Sequence, residues 1–346
     1  MRRYTVLHGT ASICIILVVL HLGRAIVIPF LLGLLVAIGA SGVFRLTEIG
    51  VPRWLSVALA CAAAVGVCVG LGALFTFALQ ELVSEWPMYE RGWEDLRREA
   101  VRWFSRHSLG DPALAVRELE PADAAMEYAL PGLAVAARVT SNFFFVLLIA
   151  VFLLIEAAVV QVKFDRVKSI GGIETAIWRR TSVEVQRYLW IKTLTSVVTG
   201  LMAGALTWAA GLEHPLLFGL LAFILNYIPT VGSLVAMVPA VVIGVLTLGW
   251  STGLVLIAGY GVINVGIGLI LEPRWLGSAI GLSPSIVFLS MAFWAFVLGP
   301  VGALLSVPLM MIVRIAAGQS PHWTWLATLL AAPREVLKKP AVTESA

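Results

Sequence analysis

Charge is the scarcest property of this 346-residue chain, at 13% of residues. Soluble domains carry about 25%. Residues 193–271 contain a single charged side chain, Glu213. With 60% apolar residues, the composition excludes an ordinary soluble domain and points to an integral membrane protein. Cysteine is nearly absent. Cys14, Cys61 and Cys68 all sit in apolar runs, which excludes a disulfide or zinc framework and leaves packing. There is no HExxH of an intramembrane metalloprotease and no GxxxxGK[ST] of an ATP-driven pump. "GLSPS" (281–285) suggests an exposed serine, but no later span supplies a histidine to activate it. The expectation is a protein that is not an enzyme and uses no cofactor or metal. Net charge is +4. No basic patch interleaved with aromatics appears, so the excess suits cytoplasmic loops and not nucleic acid. Low-complexity tracts and internal repeats are also missing.

What the chain has is apolar runs. A span needs about 20 apolar residues, and candidates lie at 5–22, 25–44, 54–80, 139–160, 193–211, 215–249, 252–271 and 286–315. The expected fold is an all-α polytopic membrane protein of about eight transmembrane helices, with broken or re-entrant segments and a small external helical domain. Residues 1–80 hold the first three spans, and 139–160 the fourth. Residues 193–315 form a transport core, and 316–346 a cytoplasmic tail whose end, from Ala332, reads as disordered. The N-terminus resembles a signal peptide, but a second apolar run follows at once, so the first run reads as a retained span. The 215–249 run is too long for one simple span, and Pro229 and Gly232 near its middle predict a bend or re-entry.

Two polar segments divide the spans. Residues 81–138 carry eleven acidic and seven basic residues. Leu82, Trp86, Tyr89, Trp93, Leu96, Ala100 and Trp103 mark a helical stripe there, suited to docking on its own domain or on a neighbouring subunit. Residues 161–192 carry seven basic and three acidic residues. Ile170, Ile173, Ile177, Trp178, Thr181, Val185 and Tyr188 line one helical face opposite Arg179, Arg180 and Arg187. That pattern fits a helix at a membrane surface, or a soluble connector. Lys and Arg mark cytoplasmic loops. The basic segments therefore lie inside, the acidic one outside, and both termini in the cytoplasm.

The interruptions are the chemically informative places. "NYIPTVGS" (226–233) puts an amide, a proline and a glycine inside an apolar region. "LEPRWLGSAIGLSP" (271–284) adds Glu272 and Arg274. Free backbone groups survive in a membrane only where protein or water covers them, so such breaks suit a cavity and packing kinks alike. A charge at mid-bilayer costs about 2.5–3.5 kcal/mol on insertion scales. Glu272 is thus either functional and paired, or an interfacial cap beside Arg274. Asn264 stands about 12 Å up the same helix, and the two would form one polar stripe. Glu156 suits an interfacial position near the cytoplasmic end of its span. Ala58, Ala62, Gly66 and Gly70, and the pair Gly200 and Gly204, suit close helix packing, within one subunit or in a homo-oligomer.

The stretches "RYLWIKTLTSVVTGLMAGALTWAAGLEHPLLFGLLAFILNYIPTVGS" and "LEPRWLGSAIGLSPSIVFLSMAFWAFVLGPVGALLSVPLMMIVRI" resemble, in order and spacing, the two signatures of the autoinducer-2 exporter family. Near Ala295 and Phe296 the chain departs from a Gly-Trp often seen in that family. The resemblance implies a multi-pass permease of the bacterial inner membrane, surrounded by lipid. It carries over Asn226, Pro229, Gly232, Glu272, Pro273, Gly277, Gly281, Pro284, Gly299, Pro300, Gly302 and Pro308 as motif positions. Members export autoinducer-2, a quorum-sensing furanone, and some exchange sodium or lithium for protons. The expectation is a secondary transporter of a small polar solute. The two breaks form its pathway, Asn226 and Asn264 offer hydrogen bonds, and Glu272 couples transport to protons. The alternatives are a sodium or lithium/proton antiporter, with the cation on Glu272, and a non-transporting membrane scaffold.

Overall fold

The computed structural model describes residues 15, 17–106, 145–156, 175–229, 231–276, 281–319 and 323–332. Among these residues the regular structure is helical. The helices are α1 (Arg24–Ala40), α2 (Arg53–Ser84), α3 (Trp86–Arg106), α4 (Phe145–Glu156), α5 (Thr175–Ala209), α6 (Pro215–Leu225), α7 (Gly232–Leu248), α8 (Trp250–Ile263), α9 (Glu272–Leu276), α10 (Pro284–Leu298), α11 (Pro300–Gln319) and α12 (Thr324–Leu330). A 3-10 stretch, Ser41–Ile49, leads from α1 towards α2, and a π-helical stretch, Asn264–Leu271, joins α8 to α9. Among the described residues, five stretches are long and apolar enough to cross a membrane: Arg24–Val43, Arg53–Ala78, Ser182–Ala209, Trp250–Leu271 and Pro300–Gly318. Large apolar side chains such as Leu201, Val262, Leu269 and Phe296 face outward. Helices satisfy their backbone groups internally, which is what a hydrocarbon surround demands. The protein is an all-α polytopic membrane protein.

The 215–249 region is a hairpin. α6 has 11 residues, about 16 Å, too short for a hydrocarbon core of about 30 Å. It runs antiparallel to α5. Gly204 abuts Pro215 and Gly200 abuts Gly219, backbone against backbone, and Asn226 meets Ser196. α7 then returns to the level at which α6 began, because Leu248 packs on Gly211 and Leu212 lies beside Gly244. The hairpin enters and leaves on one side and turns its tip, residues 226–229, to α5 in the bundle interior. Its arms pack around Ala203, Phe218, Ala222, Ala236, Ala240, Leu256 and Tyr260.

The 286–315 run, expected as one span, is also two helices. Gly299 adopts φ +72°, a conformation open to glycine, and Pro300 is the first residue of α11. The chain reverses there, so that Ser290 Oγ–H donates to Ser306 O (2.9 Å) and Gly302 lies on the Trp294 carbonyl. Leu282, just before α10, packs with Val185, Tyr188, Leu189, Val307, Met311 and Leu330.

The boundary drawn between a basic segment ending at 192 and a span beginning at 193 falls inside one continuous helix, α5. Val185 and Tyr188, expected to lie against a membrane surface or in a connector, are buried in that cluster instead. Residues 161–174 lie outside the described residues. In the acidic segment α3 docks on its own chain: Gly92 meets the Leu246 carbonyl of α7, and Tyr89 is buried. The start of the expected tail is ordered: α12 folds back, and Ala332 N–H donates to Gly281 O (2.8 Å).

Candidate functional site

The polar centre of the molecule is assembled on one turn of α5. Lys192 Nζ lies 2.6 Å from Glu272 Oε1, with side chains 2% and 17% exposed. Thr193 Oγ1 lies 2.7 Å from Tyr227 Oη, and Asn226 Nδ2–H donates to Ser196 Oγ (3.1 Å). The tip of the α6–α7 hairpin is therefore held on the α5 turn that also carries the ion pair. Tyr188, one turn before Lys192, is buried within electrostatic reach of Glu272. Thr195 and Thr199 are buried and donate to carbonyls of their own helix, Lys192 O and Thr195 O. From Ser182 to Lys192 is about 15 Å along α5 and from Lys192 to Ala209 about 26 Å, so the pair lies inside the span and far from the α5–α6 turn.

Glu272 reaches Lys192 through the π-helical stretch. Its backbone N–H bonds to Ile267 O, five residues back, and such π segments recur at functional sites. This re-registers the helix between Asn264 and Glu272, so the simple α-helical stripe expected for the two does not form. Asn264 Nδ2 is buried without a hydrogen-bond partner among the described residues, and so is Tyr260 Oη, four residues earlier.

The other motif positions play different parts. Pro229 is buried in the hairpin tip. Gly232 is required for packing: a Cβ there would overlap the Leu225 carbonyl oxygen. Pro273 follows Glu272 in α9, and Gly277 lies outside the described residues. Gly281 has φ +57° and lies under the Arg314 guanidinium. Pro284 starts α10. Gly299, Pro300 and Gly302 form the far turn of the α10–α11 hairpin, about 22 Å along α10 from its start, and are not brought to the ion pair. Pro308 is buried within α11.

Lys192 is the residue that sequence reasoning missed. It was grouped with the basic segment because it follows a run of arginines. Its signal was present: Lys192 and Glu272 bracket a stretch whose only other charge is Glu213, and such an interior needs each bracketing charge matched. A second missed cluster lies at the opposite end of α5. Buried His214, which precedes α6, has Nε2 2.6 Å from Glu85 Oε2 and Nδ1 3.5 Å from Glu81 Oε2. Glu213 and the Tyr89 hydroxyl also bond Glu85. Burial resists ionisation of Glu85, but the hydrogen bonds from His214 and Glu213 outweigh it and hold the carboxyl below the ordinary range. Glu213 is pushed up, by its hydrogen bond to Glu85 and by that neighbour's charge. Burial, with the charge of Glu85, raises the Tyr89 phenol.

The sequence matches the AI-2E family transporter over residues 11–321. This chain belongs to the AI-2E transporter family. It is 34% identical to the AI-2 transport protein TqsA of Escherichia coli over 317 residues, covering 91% of this chain and 92% of TqsA. A Haemophilus influenzae protein, whose name gives transport and no solute, is 34% identical over 339 residues, 95% of this chain and 97% of its own. YhhT of Escherichia coli is 28% identical over 337 residues, 95% of each chain. Membership makes the protein a multi-pass membrane transporter, and the members named here carry transport names.

Proposed function

We propose that this protein is a secondary transporter of the bacterial inner membrane, moving a small polar solute past the α6–α7 hairpin tip and the Lys192–Glu272 pair. Residues 193–315, with the end of the basic segment, form the transport core. The observation that carries the reading is the convergence of a broken-helix tip and a buried ion pair on one turn of α5. Half-helices ending inside a membrane bring polar backbone and side chains to a solute. An ionisable pair inside a span is a functional site by default. The basic residues before Lys192 support a cytoplasmic position for that end, and the Glu85–His214 cluster then lies outside.

Glu272 takes up and releases the coupling proton. Its carboxylate is the acid nearest the tip, and a proton there would loosen the hold on Lys192. Autoinducer-2 is the first solute to test, because TqsA is named for its transport. Purified protein in sealed liposomes, under an imposed proton gradient, should accumulate labelled autoinducer-2 above protein-free vesicles. No uptake in vesicles shown to be tight removes autoinducer-2 from the proposal. Sodium-triggered proton movement in its place assigns the protein to cation/proton antiport.

A further inference from the structure

Among the described residues, three buried groups near the pathway carry hydrogen-bond donors that no acceptor receives. The Lys192 ammonium has three donors, yet among the described residues its side chain bonds Glu272 alone. At 2% exposure it meets almost no solvent. Tyr260 is fully buried, and its hydroxyl has no partner among the described residues; nor has the Asn264 amide nitrogen. Buried polar groups are nearly always paired, and each exception needs a reason. These three are not scattered. α5 and α8 are antiparallel neighbours, with Gly259 against Leu206 at one level and Glu272 against Lys192 at another. Tyr260, Asn264 and the Lys192–Glu272 pair thus succeed one another over about 18 Å of depth. Four further hydroxyls near them are already committed. Thr195 and Thr199 bond their own backbone, and Thr193 and Tyr227 bond each other.

We infer that Lys192, Asn264 and Tyr260 are the solute-binding donors of the pathway, and that the solute is rich in oxygen acceptors, neutral or anionic, and not a cation. This rests on the transport reading above and names its solute class. An amine or metal cation brings no acceptor, so it leaves all three donors unmatched and adds repulsion from Lys192. A carbonyl-, hydroxyl- or carboxylate-bearing molecule matches them in turn as it moves between the levels. Glu272 competes for Lys192: its ionised form holds the ammonium, and its protonated form releases it to the solute.

The test is a solute panel in proteoliposomes with three variants. Autoinducer-2, ribose and lactate are the acceptor-rich probes; choline and ethylamine are the cationic ones. Flux or competition is expected from at least one acceptor-rich probe and from neither cation. Tyr260→Phe removes one oxygen and keeps the ring. It should raise the KM for that solute about threefold to tenfold, the effect of one hydrogen bond. It should melt no lower than wild type, because the hydroxyl has no partner among the described residues. A hydroxyl with a merely structural partner would instead lower the melting temperature and leave KM alone. Lys192→Met should raise KM at least tenfold, and Lys192→Arg should recover part of it. If Lys192→Met fails to fold, Tyr260→Phe decides alone. A panel in which no acceptor-rich probe moves or competes, in vesicles shown to be tight, overturns this inference, and the sodium assay above then decides the transport reading separately. Transport of choline or ethylamine, or acceptor-rich transport with KM unchanged in Tyr260→Phe, overturns this inference and leaves the transport reading standing.

Discussion

Replacing Gly232 by alanine puts one methyl group where the hairpin has no room. The new Cβ would overlap the Leu225 carbonyl oxygen, stand 2.6 Å from its carbonyl carbon, and lie 3.2 Å from Ile228 Cβ. Carbon contacts settle at about 3.5–4.0 Å, so the start of α7 and the end of α6 must part by about 1 Å. The obstacle is backbone and cannot rotate away. Overpacking costs about 1–3 kcal/mol, and this substitution belongs at the upper end, about 3 kcal/mol. The displacement has a second effect. Tyr227 and Asn226 sit between the two arms and are held on α5 at 2.7 and 3.1 Å. A 1 Å movement breaks one or both contacts. The expected result is a melting temperature several degrees lower in detergent and solute flux at least tenfold lower. Gly261→Ala is the control, because no atom lies within 4 Å of a Cβ there. It should change neither. Gly232→Ala with wild-type melting and flux would refute the packing argument, and with it the claim that the tip geometry matters.

The ion pair predicts a double-mutant cycle. Glu272→Gln leaves a buried ammonium unmatched and should destabilise by about 3 kcal/mol, whereas Lys192→Met with Glu272→Leu should recover most of that; chemical unfolding of all three variants checks this, and additive losses would sink it. The Glu85–His214 cluster predicts a pH window for docking of α3. Glu85 is held low, so its contribution is present above the ordinary glutamate range and is lost as pH falls through its folded value. Glu213 is raised, so its penalty grows as pH rises through its own folded value. Protection of the α3 amides, as exchange relative to the intrinsic rate at each pH, should therefore be greatest between those limits, and Glu213→Gln should extend it to higher pH; protection independent of pH would count against the cluster as the attachment. Gly219→Ala, with its Cβ 2.8 Å from the Gly200 carbonyl oxygen, should lower the melting temperature less than Gly232→Ala, because a smaller shift relieves it.

Much of this was legible because breaks in apolar helices are rare and chemically conspicuous. Asn226, Pro229 and Gly232 announced a re-entrant element, and Glu272 announced a partner without naming it. Lys192 was hidden because charge read along the chain groups a residue with its neighbours in sequence. Folding grouped it with a carboxylate 80 positions away. Tyr260 was hidden for a different reason. A tyrosine in an apolar helix reads as packing, and only three-dimensional contacts show that its hydroxyl has no partner among the described residues. The α10–α11 reversal was signalled by Gly299 and Pro300, but 30 apolar residues also suit a single tilted span. The π-helical stretch left no trace in composition; it shows only in the Glu272 N–H bond to Ile267 O, five residues back.

The most direct test of the account is proton movement in sealed proteoliposomes containing a pH-sensitive dye, with wild-type protein beside Glu272→Gln. The account predicts that an acceptor-rich solute, autoinducer-2 first, triggers proton movement in the wild type and none in the variant. Solute-triggered proton movement of equal size in Glu272→Gln would contradict it.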